Sequence, residues 1–373
     1  MAAAPVRPLA LLGSASPSLL SALEAVARDA LPSAPSPLLH GAEARNLVSS
    51  GAPLIALVDA EHASAEDAAL ALRRDTTHAT TPLVSIADTA DELAFSSCYG
   101  FGGDDVVPAS DLQRLIPRVR ALQSASTSTV APESRGTAVV ASADRKRRIT
   151  VGRILYGAGH TIEFAGDAEE ATKIARRSEA KLVVVESEDP TVTLGQIKRA
   201  RLTGLPSNWV LVASPRHIAQ LTPVVEPLPY VALGDAFAPP ENLLFVANEL
   251  ARGLGPEGRR SHRLLFGAAV GFRVAGHDRD DIGFSYNISS TGLYVRTLAA
   301  PPTKELVWVE LQPPRCDRRV RLEGVVHWRR PFGPNDQATV PTGFGFEITD
   351  GTRADRERFA EAYQALHATP LDA

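Results

Sequence analysis

The sequence predicts two doubly wound α/β domains in series, followed by a small antiparallel β-barrel that ends in one helix. Three observations carry this. Short apolar runs alternate with helical patterns up to about residue 122, the same order recurs from residue 137, and beyond Arg263 short strands broken by Gly, Pro and Asp take over. Strand and helix alternating at this spacing imply a parallel sheet covered on both faces, whereas short strands with turn signals and no long helix between them imply a barrel. With 373 residues and 44% apolar content, the chain can supply more than one core.

In the first domain, residues 1–122, strands are expected at Pro8–Leu12, Leu54–Val58 and Leu83–Ile86, and helices at Ser18–Ala30, Asp67–Arg74 and Leu112–Leu122. Residues 123–136, QSASTSTVAPESRG, form a linker by their Ser, Thr and Pro content. The second domain, 137–254, carries strands at Ala138–Ala141, Thr161–Ala165, Leu182–Val185, Trp209–Ala213 and Tyr230–Leu233. Its helices fall at Arg147–Gly157, Ala168–Arg177 and Glu241–Leu254. Residues 255–373 make the barrel domain, with strands at Leu264–Val274, Phe284–Ile288, Gly292–Thr297, Leu306–Leu311, Val320–Trp328 and Gly343–Ile348, then an amphipathic helix at Arg353–Leu366. The G-x-G-x-x-G spelled by residues 253–258 follows a helix and contains Pro256, so it reads as a hinge and not as a dinucleotide-binding turn.

Composition narrows the function. A net charge of −4 argues against a chain that coats a nucleic acid polymer, yet Gly255–Arg330 holds 13 Arg and Lys against 8 Asp and Glu, a basic segment suited to a small anionic ligand. The two cysteines, Cys98 and Cys316, fit neither a zinc spacing nor a disulfide framework, which points to a reduced, cytoplasmic setting. No run of about 18 apolar residues occurs and the first residues lack a signal-peptide pattern, so no membrane span is expected. The nine histidines show no metal-binding spacing, and there is no nucleophile elbow or P-loop. The expectation is a non-enzyme with no catalytic residue, metal or cofactor.

Pro82–Ile86 and Gly102-Gly103-Asp104-Asp105-Val106-Val107 resemble the fourth and fifth strands of response-regulator receiver domains. The resemblance implies a phospho-acceptor carboxylate after the third strand, where Asp59 stands. That family also places an acidic pair for Mg²⁺ after the first strand, Thr or Ser after the fourth and Lys after the fifth; this chain has Ser14 and Ser16, Ala87 and Ala109 there. Asp59 is therefore either a lone phospho-acceptor or a solvated loop carboxylate, and the missing metal ligands and lysine favour the second reading. The second domain is similar to the same family through Gly157-Ala158-Gly159-His160, Ala165–Ala171 and Leu182–Val185, with Glu186 at the acceptor position and Ser142 with Asp144 as half of an acidic pair. Glu186 either imitates a phosphorylated aspartate or is a surface carboxylate. Both domains are expected to be degenerate, protein-docking modules.

Two patterns converge in the barrel domain. Arg259-Arg260-Ser261-His262-Arg263 contains R-x-x-x-R, and Asn287-Ile288-Ser289-Ser290-Thr291-Gly292 contains N-x-S-x-x-G. Followed by Gly292–Val295, Leu322–Trp328 and Gly343–Glu347, they resemble the PilZ signature, and the resemblance implies a cyclic di-GMP ligand. An arginine fork matches the O6 and N7 edge of guanine and stacks on the base, so Arg259 and Arg263, four residues apart, suit a clamp with Arg260 as an auxiliary. Asn287 and Ser289, two apart on a strand, face one side. Gly292 lacks a Cβ and so tightens a turn and admits ligand to the backbone. The family usually has Asp where this chain has Asn287. The expected protein is a signalling effector in which ligand, gripped between hinge and barrel, reorients the barrel against the second α/β domain and alters an unidentified protein partner. The alternative is a nucleotide-independent adaptor in motility or polarity control.

Overall fold

The computed structural model describes residues 7–50, 53–74, 81–125, 134–252, 263–333 and 340–368. The first domain is a five-stranded parallel sheet of β1 (Leu9–Leu12), β2 (Leu38–Leu39), β3 (Ile55–Asp59), β4 (Leu83–Ala87) and β5 (Asp105–Pro108), in the order β2-β1-β3-β4-β5. Its helices are α1 (Pro17–Ala30), α2 (Gly41–Ser50), α3 (Ala65–Arg74), α4 (Glu92–Gly100) and α5 (Leu115–Ala125). The strands read as unbroken apolar runs because both faces are covered. Leu9, Leu11, Ile55 and Leu57 pack toward α1 and α5, and Ala10, Leu12, Ala56 and Val58 toward α2 and α3. Helix α1 starts where Ser16 Oγ accepts from the Leu19 amide at 3.2 Å, with Pro17 at the first helical position.

The second domain repeats the plan with β6 (Thr137–Ala141), β7 (Thr161–Ala165), β8 (Leu182–Glu186), β9 (Asn208–Ala213) and β10 (Val231–Asp235), ordered β10-β9-β8-β6-β7 and all parallel. Helices α6 (Arg145–Gly157) and α10 (Asn242–Arg252) cover one face; α7 (Ala168–Arg177), α8 (Pro190–Leu202) and α9 (Pro215–Val225) cover the other. At the start of β7, buried His160 has Nδ1 3.3 Å from the Gly136 carbonyl, and burial, reinforced by the Arg135 charge, pushes its pKa down to about 4. A histidine that stays neutral in the fold but takes a proton near pH 6.5 when unfolded loses stability as pH falls from 6.5 toward 4. Denaturation at pH 6.5 and 4.5, followed by hydrogen exchange on β6 and β8, is expected to show a loss of about 2 kcal/mol that His160→Gln removes.

The barrel is built from β11 (Leu264–Leu265), β12 (Ala269–Val274), β13 (Asp281–Ser289), β14 (Gly292–Arg296), β15 (Leu306–Leu311), β16 (Val320–Arg330) and β17 (Gly343–Gly351). Pairing runs β13-β12-β15-β16-β17-β14 and closes through β14 onto β13, giving a six-stranded antiparallel ring to which β11 is added on β13. Val270, Phe272, Ile288, Leu293, Val295, Val309, Leu322, Phe344 and Phe346 fill it, and Phe359, Tyr363 and Leu366 of the final helix α11 (Arg353–Ala368) pack against them at helical spacing. The expected strand Leu264–Val274 is in fact broken at residues 266–268. Strand β13 starts at Asp281, three residues before the apolar pattern suggests, because Asp281–Gly283 pair with Val270–Phe272 of β12, and the Asp281 side chain has a partner far away in sequence.

That partner belongs to the first α/β domain. By contact density, the first α/β domain and the barrel form one compact unit, and the intervening second α/β domain forms another. A buried seam joins the barrel to α4, β5 and α5 of the first domain. Arg118, fully buried on α5, donates through Nε to Asp105 at 2.9 Å, through Nη1 to Asp281 at 2.9 Å and through Nη2 to the Ile282 carbonyl at 2.9 Å. Asp105 also accepts from the Leu298 amide at 2.8 Å and the Thr297 hydroxyl at 3.1 Å. Burial works against the Arg118 charge, but the Asp105 and Asp281 carboxylates outweigh it and raise its pKa. Burial also pushes the Asp105 carboxyl up, against the pull of Arg118 and the Leu298 amide. Alongside, Phe284 of β13 packs on Phe95 at 5.2 Å and on Tyr99 at 5.7 Å, while the Arg296 guanidinium lies 3.3 Å over the Tyr99 ring.

Candidate functional site

The N-x-S-x-x-G segment folds as the tight hairpin between β13 and β14. Ile288 points into the barrel, so Asn287 and Ser289 on either side of it face outward. Ser289 Oγ closes the turn, donating to the Gly292 carbonyl at 3.2 Å and accepting from the Thr291 amide at 3.4 Å. At Gly292 an added Cβ would lie 2.0 Å from the Phe346 carbonyl oxygen on β17. The backbone that demands this glycine is therefore the neighbouring strand, a requirement that holds without any ligand.

Strand β11 brings the last residue of the first motif to the second. Leu264 pairs with Ile288 and Leu265 with Asn287, and Arg263 immediately precedes the paired residues at the hairpin end of β13. The half-buried Arg263 thus stands beside the outward pair Asn287 and Ser289. Asn287 itself is only 3% exposed. Arg259 and Arg260 lie outside the described residues.

Sequence reading missed an aromatic wall next to this hairpin. A bulge between Ser285 and Asn287 makes Tyr286 an extra residue on β13, and Asn287 then pairs with Tyr294. The Tyr286 and Tyr294 rings meet edge to face at 6.1 Å, and Tyr294 stacks on Trp328 at 5.0 Å. Trp328 lies so flat across β17 that a Cβ on Gly345 would come within 2.5 Å of its Nε1. Burial pushes the Tyr294 hydroxyl up, which keeps it a donor, and pushes the neighbouring Arg330 guanidinium down against the pull of Tyr294, Tyr286 and Asp104. The signal for the wall was present: Tyr294 sits between inward Leu293 and Val295, so it faces outward, yet it is an aromatic residue.

The receiver-like sites look different. Asp59 ends β3 and is 8% exposed, not solvated, with Oδ1 accepting from the Glu61 amide at 3.2 Å. Ser14 and Ser16 follow β1, where no carboxylate pair stands to hold Mg²⁺, and Ala87 and Ala109 offer no hydroxyl or ammonium for a phosphoryl group. In the second domain, Glu186 accepts from Ser142 Oγ at 2.7 Å and lies 4.0 Å from Arg147 Nε. It lines a cavity of about 600 Å³ at the carboxyl ends of the strands, together with Asp144, Asp167, Glu188 and Asp189. That many carboxylates repel an anionic nucleotide. Among the described residues, no group of three or more His, Cys, Asp and Glu side chains is arranged to hold a metal ion, and no helix is long and apolar enough to cross a membrane.

Comparison with known proteins matches residues 257–364 to the PilZ domain model. No curated protein matches the sequence. Among solved structures, the chain is similar to the Bacillus subtilis inhibitor of motility MotI/DgrA, with 18% identity and a TM-score of 0.26 over 31% of this chain and 53% of that one, about half that protein's length. It is similar to the PilZ domain of CeSA from a cellulose-synthesizing bacterium, with 14% identity and a TM-score of 0.21 over 29% of this chain and 99% of that one. A putative two-component system response regulator/GGDEF domain protein gives 14% identity and a TM-score of 0.31 over 66% of this chain and 98% of that one. Both motifs fall within the matched stretch: residues 257–364 of this chain are a PilZ domain.

Proposed function

We propose that this chain is a cyclic di-GMP-binding signalling effector, in which the PilZ domain takes the nucleotide and the two α/β domains act as non-enzymatic docking modules for a protein partner. PilZ domains are binding domains of a cyclic di-GMP effector family, and MotI/DgrA, a neighbour by fold, is described as an inhibitor of motility. One observation supports the reading: β11 pairs Leu264 with Ile288 and Leu265 with Asn287, so Arg263, the residue just before it, lies at the hairpin end of β13. Arg263, with Arg259 and Arg260 upstream, forks onto a guanine edge or stacks on its plane. Asn287 and Ser289 hydrogen-bond the base or phosphate. The free thiols Cys98 and Cys316 suit a reduced cytoplasmic setting.

The test is isothermal titration of cyclic di-GMP into the full chain. Arg263→Ala is expected to weaken binding by about 1–3 kcal/mol, tenfold or more. Equal affinity for both chains would remove Arg263 from the site. The nucleotide-independent adaptor is favoured by one feature, the near-complete burial of Asn287, and the absence of both binding heat and a thermal shift with cyclic di-GMP would leave it as the reading to pursue.

A further inference from the structure

Among the described residues, β7 is the last strand of the second sheet and is held on one side only, by β6. The Thr161 amide donates to the Gly136 carbonyl at 3.1 Å, and the Ala165 carbonyl accepts from the Ser142 amide at 3.4 Å. Backbone groups alternate sides along a strand, so Thr161, Glu163 and Ala165 direct theirs to β6, whereas the N–H and C=O of Ile162 and Phe164 point out along the open edge. The devices that usually blunt such an edge are missing, for Thr161–Ala165 contains no Pro, no Lys and no bulge. Its two ends are closed, however. The His160 amide donates to the Leu155 carbonyl at 3.0 Å, and the Gly166 amide to Glu170 Oε2 at 2.6 Å.

The side chains on this edge are apolar on one face and charged on the other. Ile162 and Phe164 lie against α6, where Gly152 leaves room for them: a Cβ there would come within 2.7 Å of the Phe164 ring. Phe164 is 49% exposed, and Tyr156, one turn beyond Gly152 on α6, is 51% exposed. On the opposite face, Glu163 accepts from Arg177 of α7 at 2.7 Å, in a pair that is itself open to solvent.

We infer that β7 is a dimerisation edge, which pairs antiparallel with β7 of a second copy of this chain about a two-fold axis at Glu163. In that register Ile162 stands opposite Phe164 of the second copy and exchanges both backbone hydrogen bonds with it, and the symmetry repeats the exchange, so the outward groups of both edges are satisfied. Moving the axis to residue 162 or 164 calls on the amides of His160 or Gly166, which are already engaged. Phe164 and Tyr156 then cover Ile162 and Phe164 of the second copy. At the axis the two Glu163 carboxylates meet, each bringing its own Arg177, so the charges compensate. The surface is thus complementary to itself in backbone, shape and charge, which selects a second copy as its occupant. One short strand and its flanking rings bury less than the roughly 1,200 Å² of a standard interface, so the dimer is reversible at micromolar concentration.

Sedimentation equilibrium of the full chain over about a hundredfold range of concentration is expected to show monomer and dimer exchanging by mass action. Arg177→Glu, which gathers carboxylates at the axis, weakens the dimer about tenfold or more, and adding Glu163→Arg restores it. Cross-linking reads the register directly, in a Cys316→Ser background where Cys98 is buried. Glu163→Cys sets the two introduced thiols opposite each other, with Cα atoms about 4.5 Å apart and within disulfide reach, whereas Thr161→Cys lies several residues from its counterpart. Oxidation with copper phenanthroline is expected to join Glu163→Cys chains into dimers and to leave Thr161→Cys chains single. A chain that stays monomeric throughout, a dimer indifferent to Arg177→Glu, or equal cross-linking of the two cysteine variants overturns pairing through β7.

Discussion

Arg118→Ala is expected to destabilise the unit formed by the first α/β domain and the barrel by about 3–5 kcal/mol, because it strands a buried carboxylate. Arg118 and Asp105 are both fully buried, and the guanidinium answers two carboxylates and a backbone carbonyl from two separate parts of the chain. Asp281→Ala is expected to cost less, about 1–2 kcal/mol, since Asp281 is partly exposed and Arg118 keeps Asp105. Denaturant unfolding followed by hydrogen exchange checks this: protection falls on β5 and on β13 together in Arg118→Ala. Loss confined to β5 would show that the seam adds nothing to the barrel.

Gly292→Ala is expected to cost about 3 kcal/mol or more and to open the barrel between β14 and β17. The added Cβ meets backbone on both counts, the Phe346 oxygen at 2.0 Å and its carbonyl carbon at 3.0 Å, and neither can swing aside as a side chain would. A thermal melt read by tryptophan fluorescence, with Trp308 and Trp328 in the barrel, measures the loss. If Gly292 serves only to admit ligand, the melt stays unchanged and nucleotide affinity alone falls.

The layers of this fold were legible because they rest on local patterns. Unbroken runs such as Leu182–Val185 mark strands covered on both faces, and period-two alternation around Ile288 placed Asn287 and Ser289 on one side. What escaped depends on contacts distant in sequence. Helix α4 has a short apolar set, Phe95, Cys98 and Tyr99, interrupted by serines, and much of its apolar covering is Phe284 of the barrel. Helix α2 buries little beyond Ala44, and α9 contains Pro223, so neither announces itself. Gly267 falls inside the expected strand Leu264–Val274, where the strand is broken and a Cβ would come within 2.8 Å of the Phe284 ring. Asp104 and Asp105 stand side by side in the stretch that resembles the fifth receiver strand. Their side chains diverge, Asp104 to Arg73 at 3.0 Å within its own domain and Asp105 to Arg118 and the barrel. At the candidate site, residue types and order were readable, but the pairing of β11 with Asn287 and Ile288 and the bulge that raises Tyr286 beside Tyr294 were not.

The central claim is that the barrel face formed by Arg263, Asn287 and Ser289 recognises guanine in a cyclic dinucleotide. Parallel titrations of the full chain with cyclic di-GMP and cyclic di-AMP test it most directly, since the two ligands share their phosphates and differ at the base edge. An arginine fork finds paired acceptors on guanine but meets a donor on adenine, so cyclic di-GMP is expected to bind at least tenfold more tightly, about 1–3 kcal/mol. Equal affinity for the two would contradict base recognition and reduce the site to a phosphate-attracting basic face.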